Sequence, residues 1–166
     1  MNRRDIVIGV VIVVILAGII YFRQKNQPQE TPVTTPQTLS TQQQIQDKFN
    51  VQIPDDVDKA ELKDVGGGTS SALATRKFEN GTFTSEVLAD LPDPAEGTFY
   101  QAWLSKGEEG QEGYSLVSLG KLVTAKGGYL VDYQSSTDYS DYPKVMVTLE
   151  KTLDNNPETT VLEGSF

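Results

Sequence analysis

The sequence predicts an all-β fold, an antiparallel β-sandwich of about seven or eight strands, carried behind one N-terminal transmembrane helix. Three observations predict it. An uncharged apolar run occupies residues 6–22, and a Gln/Thr/Pro-rich stretch follows it. Beyond about Asp58 the chain changes to short alternating segments punctuated by Gly, Asn, Asp and Pro, the spacing of strands and turns.

The apolar run reads Ile-Val-Ile-Gly-Val-Val-Ile-Val-Val-Ile-Leu-Ala-Gly-Ile-Ile-Tyr-Phe. As a helix rising ~1.5 Å per residue it spans roughly 25 Å, the short end of a bilayer's hydrocarbon core. Tyr21 and Phe22 stand where an interfacial aromatic anchor belongs, with Arg23 and Lys25 just beyond. A cleaved signal peptide would end in small residues, whereas this run closes on Ile19, Ile20, Tyr21, Phe22 and Arg23. The expected element is therefore an uncleaved anchor. Arg3 and Arg4, with the amino terminus, tip the positive-inside balance slightly towards a cytoplasmic residue 1–5 tail.

Residues 23–57 form the expected tether. Pro28, Pro32 and Pro36 recur at regular intervals, and no apolar periodicity is available to bury a face. Ile45 and Phe49 lie four apart, enough for one or two helical turns over 41–49, but so short a helix is marginal by itself.

Residues 58–166 make the β-domain. Its clearest signal is Asn80-Gly81 between 70–78 and 82–90, a type I′ hairpin turn that needs positive φ at both positions. In the second arm Phe83, Val87 and Ala89 share one face, opposite Thr82, Thr84 and Glu86. Pro92 and Pro94 end that strand, since proline cannot join a ladder. Further strands are expected at 99–105, 115–124, 129–134, 144–150 and 161–166, separated by Gly-rich or Asn/Pro-containing loops.

Composition removes several classes of function. There is no cysteine and no histidine, which excludes disulfides, Cys/His zinc sites, thiol nucleophiles and histidine-based catalysis. From Asp47 onward 21 acidic residues face 10 basic ones, a surface that repels phosphate backbones, so nucleic acid is not an expected partner. No cofactor, metal ligand set or catalytic motif stands out. Paired carboxylates of the glycoside-hydrolase kind could be drawn from 23 acidic residues, but none occupies a distinctive pattern. Asp138, Tyr139, Asp141 and Tyr142 form an acidic-aromatic cluster before a strand and are the candidate binding surface, for Ca²⁺ or carbohydrate; no EF-hand-like loop is present, and a solvated turn is the simpler explanation. Trp103, the only tryptophan, sits between apolar neighbours on both faces of its strand and is expected in the core; the rival is an open aromatic binding face.

Tyr100-Gln101-Ala102-Trp103-Leu104, then Ser118-Leu119-Gly120, Val147-Thr148-Leu149-Glu150, Pro157 and Val161-Leu162-Glu163-Gly164 together resemble the C-terminal domain of the anti-sigma-K factor family. The matching residues Tyr100, Trp103, Leu104, Gly120, Thr148, Glu150 and Gly164 are expected to be structural. The resemblance implies an extracytoplasmic β-sandwich that serves as a sensor, on a membrane protein whose cytoplasmic domain binds a sigma factor. This chain departs from that plan, because its tail of residues 1–5 is too short to bind one, and residues 150–154 lack the Gly-rich stretch that follows the family's glutamate.

The expectation is a single-pass plasma-membrane protein with a cytoplasmic N-terminus. It is held by the lipid bilayer and carries a non-catalytic, extracytoplasmic binding or sensing module for an envelope protein or ligand, linked to sigma-factor regulation through a partner. A structural or adhesion surface-display domain is the alternative. A carboxylate-based hydrolase is the third.

Overall fold

The computed structural model describes residues Leu39–Phe166, which form one compact unit. The expected transmembrane helix over 6–22, and the tether as far as residue 38, lie outside these residues. Among the described residues no helix is long and apolar enough to cross a membrane.

The unit opens with helix α1, Thr41–Phe49. Ser40 caps it: its Oγ accepts from the Gln43 backbone N–H, and Gln43 Oε1 accepts from the Ser40 N–H, a reciprocal box that satisfies two of the helix's free donors. Asn50, at φ 49°, ends the helix in the left-handed region. Nine residues would not hold as a helix alone. Burial makes the difference: Ile45, Phe49 and Ile53 pack on Leu73 and Leu88. The last part of the stretch expected to be tether is therefore part of the folded unit.

Nine strands follow: β1 Asp58–Asp64, β2 Ser71–Glu79, β3 Thr82–Asp90, β4 Phe99–Lys106, β5 Ser115–Lys121, β6 Val123–Ala125, β7 Gly128–Ser135, β8 Lys144–Glu150 and β9 Thr159–Ser165. The β2–β3 turn is as the Asn-Gly signal requires, with Asn80 at φ 52° and Gly81 at φ 76°. The fold is all-β apart from α1, but the strands do not divide into two separate sheets. They pair antiparallel in one sheet of order β5-β4-β8-β9-β1-β2-β3-β7-β6. The two ends of that order, β5 and β6, are consecutive in the chain with only Leu122 between them. One kinked strand thus pairs with β4 at one end and β7 at the other, and the sheet curls towards a barrel.

Two glycines mark where the halves of the sheet meet. Gly120, at φ 111°, provides the bend in the β5–β6 strand; a side chain there would be strained. Gly164 lies where β9 joins β1 through a short ladder; a Cβ there would come within 2.4 Å of the Glu61 carbonyl oxygen. The interior of the curl is one apolar core. It gathers Ala60 and Leu62 of β1, Phe83 and Val87 of β3, Leu104 of β4, Val147 of β8 and Leu162 of β9, with others between them.

Candidate functional site

The cluster singled out in the sequence closes one end of the curl. Tyr139 packs edge-on against Phe83, with ring centroids 5.5 Å apart, and against Tyr142 at 5.4 Å; Tyr133 lies 6.3 Å from Tyr139. Tyr142 shares a hydrogen bond with Ser115 Oγ at 2.9 Å, and its carbonyl accepts from Arg76 Nη1 at 2.6 Å. Arg76 is buried, paired with Asp58 at 3.2 Å, and stacks 4.1 Å from the Phe166 ring centroid. The two tyrosines are thus committed to packing. The acids point elsewhere. Asp138 accepts from the Ser140 backbone N–H and hydroxyl, at 2.9 and 2.6 Å, and the Ser140 hydroxyl holds its carboxyl below the usual aspartate range. Asp141 pairs with Lys106. The structure brings Tyr139 and Tyr142 together but does not converge the four residues on one ligand position. Among the described residues no three acidic groups are grouped to hold a metal ion.

At the other end two tyrosines hold the Pro92 loop. Tyr100 Oη donates to the Pro92 carbonyl at 3.1 Å and Tyr129 Oη to Asp93 Oδ1 at 2.7 Å, the rings 5.2 Å apart. Asp93, as acceptor, with burial in support, pushes the Tyr129 hydroxyl up to about 12. Burial also raises Tyr100, with Asp93 adding to it.

The resemblance-bearing residues lie in the framework. Tyr100 and Leu104 face the core, and Gly120 and Gly164 stand where the halves join. Trp103 is buried to 1 % exposure, but on the outer face of β4, opposite the main core. Its indole Nε1 donates to Thr148 Oγ1 at 2.8 Å, and Thr148 donates to the Gln101 carbonyl at 3.3 Å. Glu150 is equally buried, and its carboxylate accepts from the Glu158 backbone N–H at 3.1 and 3.2 Å. The buried indole is thus satisfied by Thr148, two residues along β8 from the buried Glu150, so these polar groups hold β4 and β8 together on their outer face.

One concavity escaped the sequence. On the outer face of β2, β3 and β7 a cleft of about 450 Å³ is lined by Pro54, Val57, Thr75, Thr84, Glu86 and Asp132, among others. Glu86 and Asp132 are direct cross-strand partners. Burial raises the Glu86 carboxyl above the ordinary glutamate value, and the like charge of Asp132 raises it further. A carboxyl that keeps its proton to higher pH, beside a second carboxyl in a cleft, has the ingredients of a site that takes up a cation or a proton. Its signal in the sequence was only half present: the hairpin places Glu86 on the outer face, but the β3–β7 pairing that brings Asp132 beside it has no local mark.

A family model described as anti-sigma-K factor rskA, C-terminal, matches residues 6–161. Nothing matches among the curated proteins or among the solved structures. The match runs from the first residue of the apolar run to the last strand. The chain belongs to the anti-sigma-K factor RskA C-terminal family.

Proposed function

We propose that this chain is a membrane-anchored binding or sensing module that presents its β-domain outside the cytoplasm, within a regulatory system related to anti-sigma factors. The observation that carries the reading is the family match over residues 6–161, which takes in the apolar run, the Gln/Thr/Pro stretch and the sheet. The family is regulatory, which supports a non-catalytic role. The lipid bilayer is the partner of residues 6–22. An envelope protein or ligand is the partner of the domain, and the link to a sigma factor runs through it. An acidic surface supports a protein or small-molecule partner over nucleic acid.

Topology and regulation are tested separately. The sequence has no cysteine, so Gln111→Cys, in an exposed loop, is a clean reporter. On intact host cells an impermeant maleimide should label it; labelling only after lysis would reverse the orientation. Deleting the chain in its host should change transcription from promoters that depend on one alternative sigma factor. Unchanged transcription with outward labelling would leave the surface-display alternative standing instead.

A further inference from the structure

The loop of residues 151–158 joins β8 to β9 and folds back over the outer face of β4, where Gln101 Nε2 donates to the Asp154 carbonyl at 3.3 Å. It has little grip of its own. Residues 151–156 are exposed, Leu153 to 68 %. Two carboxylates hold it. Glu158 accepts from the Lys151 and Thr152 backbone N–H groups, both at 3.1 Å, and Glu150 accepts from the Glu158 N–H. On this side of the sheet lie Gln101, Trp103, Thr148 and Glu150, each 1 % exposed or less.

One requirement of that strip is unmet and a second is met only by the loop. Gln101 Oε1 is buried with no hydrogen-bond partner, although its amide nitrogen bonds both Ser118 Oγ and the Asp154 carbonyl. A buried acceptor left alone needs an explanation. A carboxamide with its N–H on a peptide carbonyl and its oxygen idle is half of a two-point pairing. An extended segment completes such a pairing, because the N–H and C=O of one residue project to the same side. The loop supplies only the carbonyl. The second requirement is Glu150, whose donor is a backbone N–H of the loop itself. Anything that lifts the loop must replace that donor, and a buried carboxylate is best replaced with a cation.

We propose that residues 151–158 are a displaceable strap, and that the strip beneath docks an extended, basic peptide segment of a partner protein. The segment pairs its backbone with the Gln101 amide, lies against the Trp103 indole and sets a Lys or Arg on Glu150. The strap's own acids, Asp154 and Glu158, leave with it. This deepens the binding-module reading and rests on it for its setting. Its test uses purified protein and no host, so the two fail independently.

The test uses the full-length chain in detergent micelles, with Trp103, its one tryptophan, excited selectively over the seven tyrosines. The probes are a blocked octapeptide of alternating lysine and valine and its glutamate/valine counterpart. Glu158→Ala removes the tie to Lys151 and Thr152. It should increase acrylamide quenching of Trp103 while the melting temperature stays within about 3 °C of the parent. It should also bind the lysine peptide at least about tenfold more tightly than the parent, and Glu150→Gln in that background should abolish the gain. The glutamate peptide should not bind. A second variant, with 152–157 replaced by Asn-Gly, opens the strip independently of that glutamate and should fold and bind the lysine peptide likewise. The proposal is overturned if Trp103 stays shielded in both variants, or if quenching rises only because the chain unfolds. It also fails if the shortened chain cannot fold, if the lysine peptide does not bind the opened strip, or if both peptides bind alike.

Discussion

At the scale of single residues, Glu86 is the clearest case of local cost. Burial raises its carboxyl above the ordinary glutamate value, and Asp132, directly across the β3–β7 ladder, adds like-charge repulsion. Its folded-state pKa is raised, so ionising it costs stability: the native state is favoured while Glu86 is protonated, and that advantage is lost as pH rises through the raised pKa. Glu86→Gln should therefore stabilise the domain at pH 7.5. Glu86 is only half-buried, so a gain of about 0.5 kcal/mol is expected, of the size of one cross-strand pair. That corresponds to roughly 1–3 °C in the melt. The difference should shrink below the ordinary glutamate range, and thermal melts at pH 7.5 and 4.0 measure both ends. A stabilisation that persists unchanged at pH 4.0 would mean that charge is not its cause. The sequence showed this only in part. The face of Glu86 follows from the Asn80-Gly81 turn, whereas Asp132 becomes its neighbour through a pairing between strands that are not adjacent in the chain. Trp103 is a similar half-success. Its burial is legible from the apolar residues around it, but its side of the sheet and its bond to Thr148 depend on β8, some forty residues on.

Among the elements, α1 shows how tertiary contacts override a weak local signal. Its only apolar residues in the helix proper, Ile45 and Phe49, are both buried. Their partners come from β2 and β3, with Leu130 of β7 at the margin, so nothing near the helix in sequence announces them. Gly128 shows how closely the fit is made, since a Cβ there would lie 2.5 Å from Phe49 Cζ. Phe49→Ala should cost about 3–5 kcal/mol, the usual range for emptying a buried phenylalanine site, and chemical denaturation at neutral pH would measure it. A loss under about 1 kcal/mol would mean that the helix contributes little to the fold. Strand β1 is missing from the strands expected of the sequence because Asp58–Asp64 holds only two apolar residues, Ala60 and Leu62, among charged ones. The segment 115–124 reads as one strand in sequence. It becomes two because the chain changes ladder partner after the bend at Gly120.

For the whole molecule, the extent of the folded unit matters more than its strand count. Leu39–Phe166 contains the core of the curl and the second apolar cluster under α1. A fragment of Leu39–Phe166 should unfold in a single transition, insensitive to chelator. One beginning at Val57 keeps every strand but strips α1 and Ile53 from Leu73 and Leu88, and should melt at least about 10 °C lower. Equal melting of the two fragments would remove α1 from the cooperative unit. The all-β class, the antiparallel pairing and the β2–β3 hairpin were legible because they depend on alternation and turn chemistry within short windows. The closure was not, since β9 meets β1 about a hundred residues away in the chain.

The position of α1 also has a mechanical meaning. It comes first in the folded unit, so any tension arriving along the preceding chain reaches Leu39 before it reaches a strand. Its grip is two apolar side chains, a surface ion pair between Lys48 and Asp90 and a long hydrogen bond from the Gln42 backbone N–H to Glu61, whereas each strand behind it is sewn into a ladder. Under load the helix should peel away first and lengthen the chain, while the sheet stays whole. A helix seated this way is a weak link in series with a strong one, a fuse that lets the domain be tugged without being torn open.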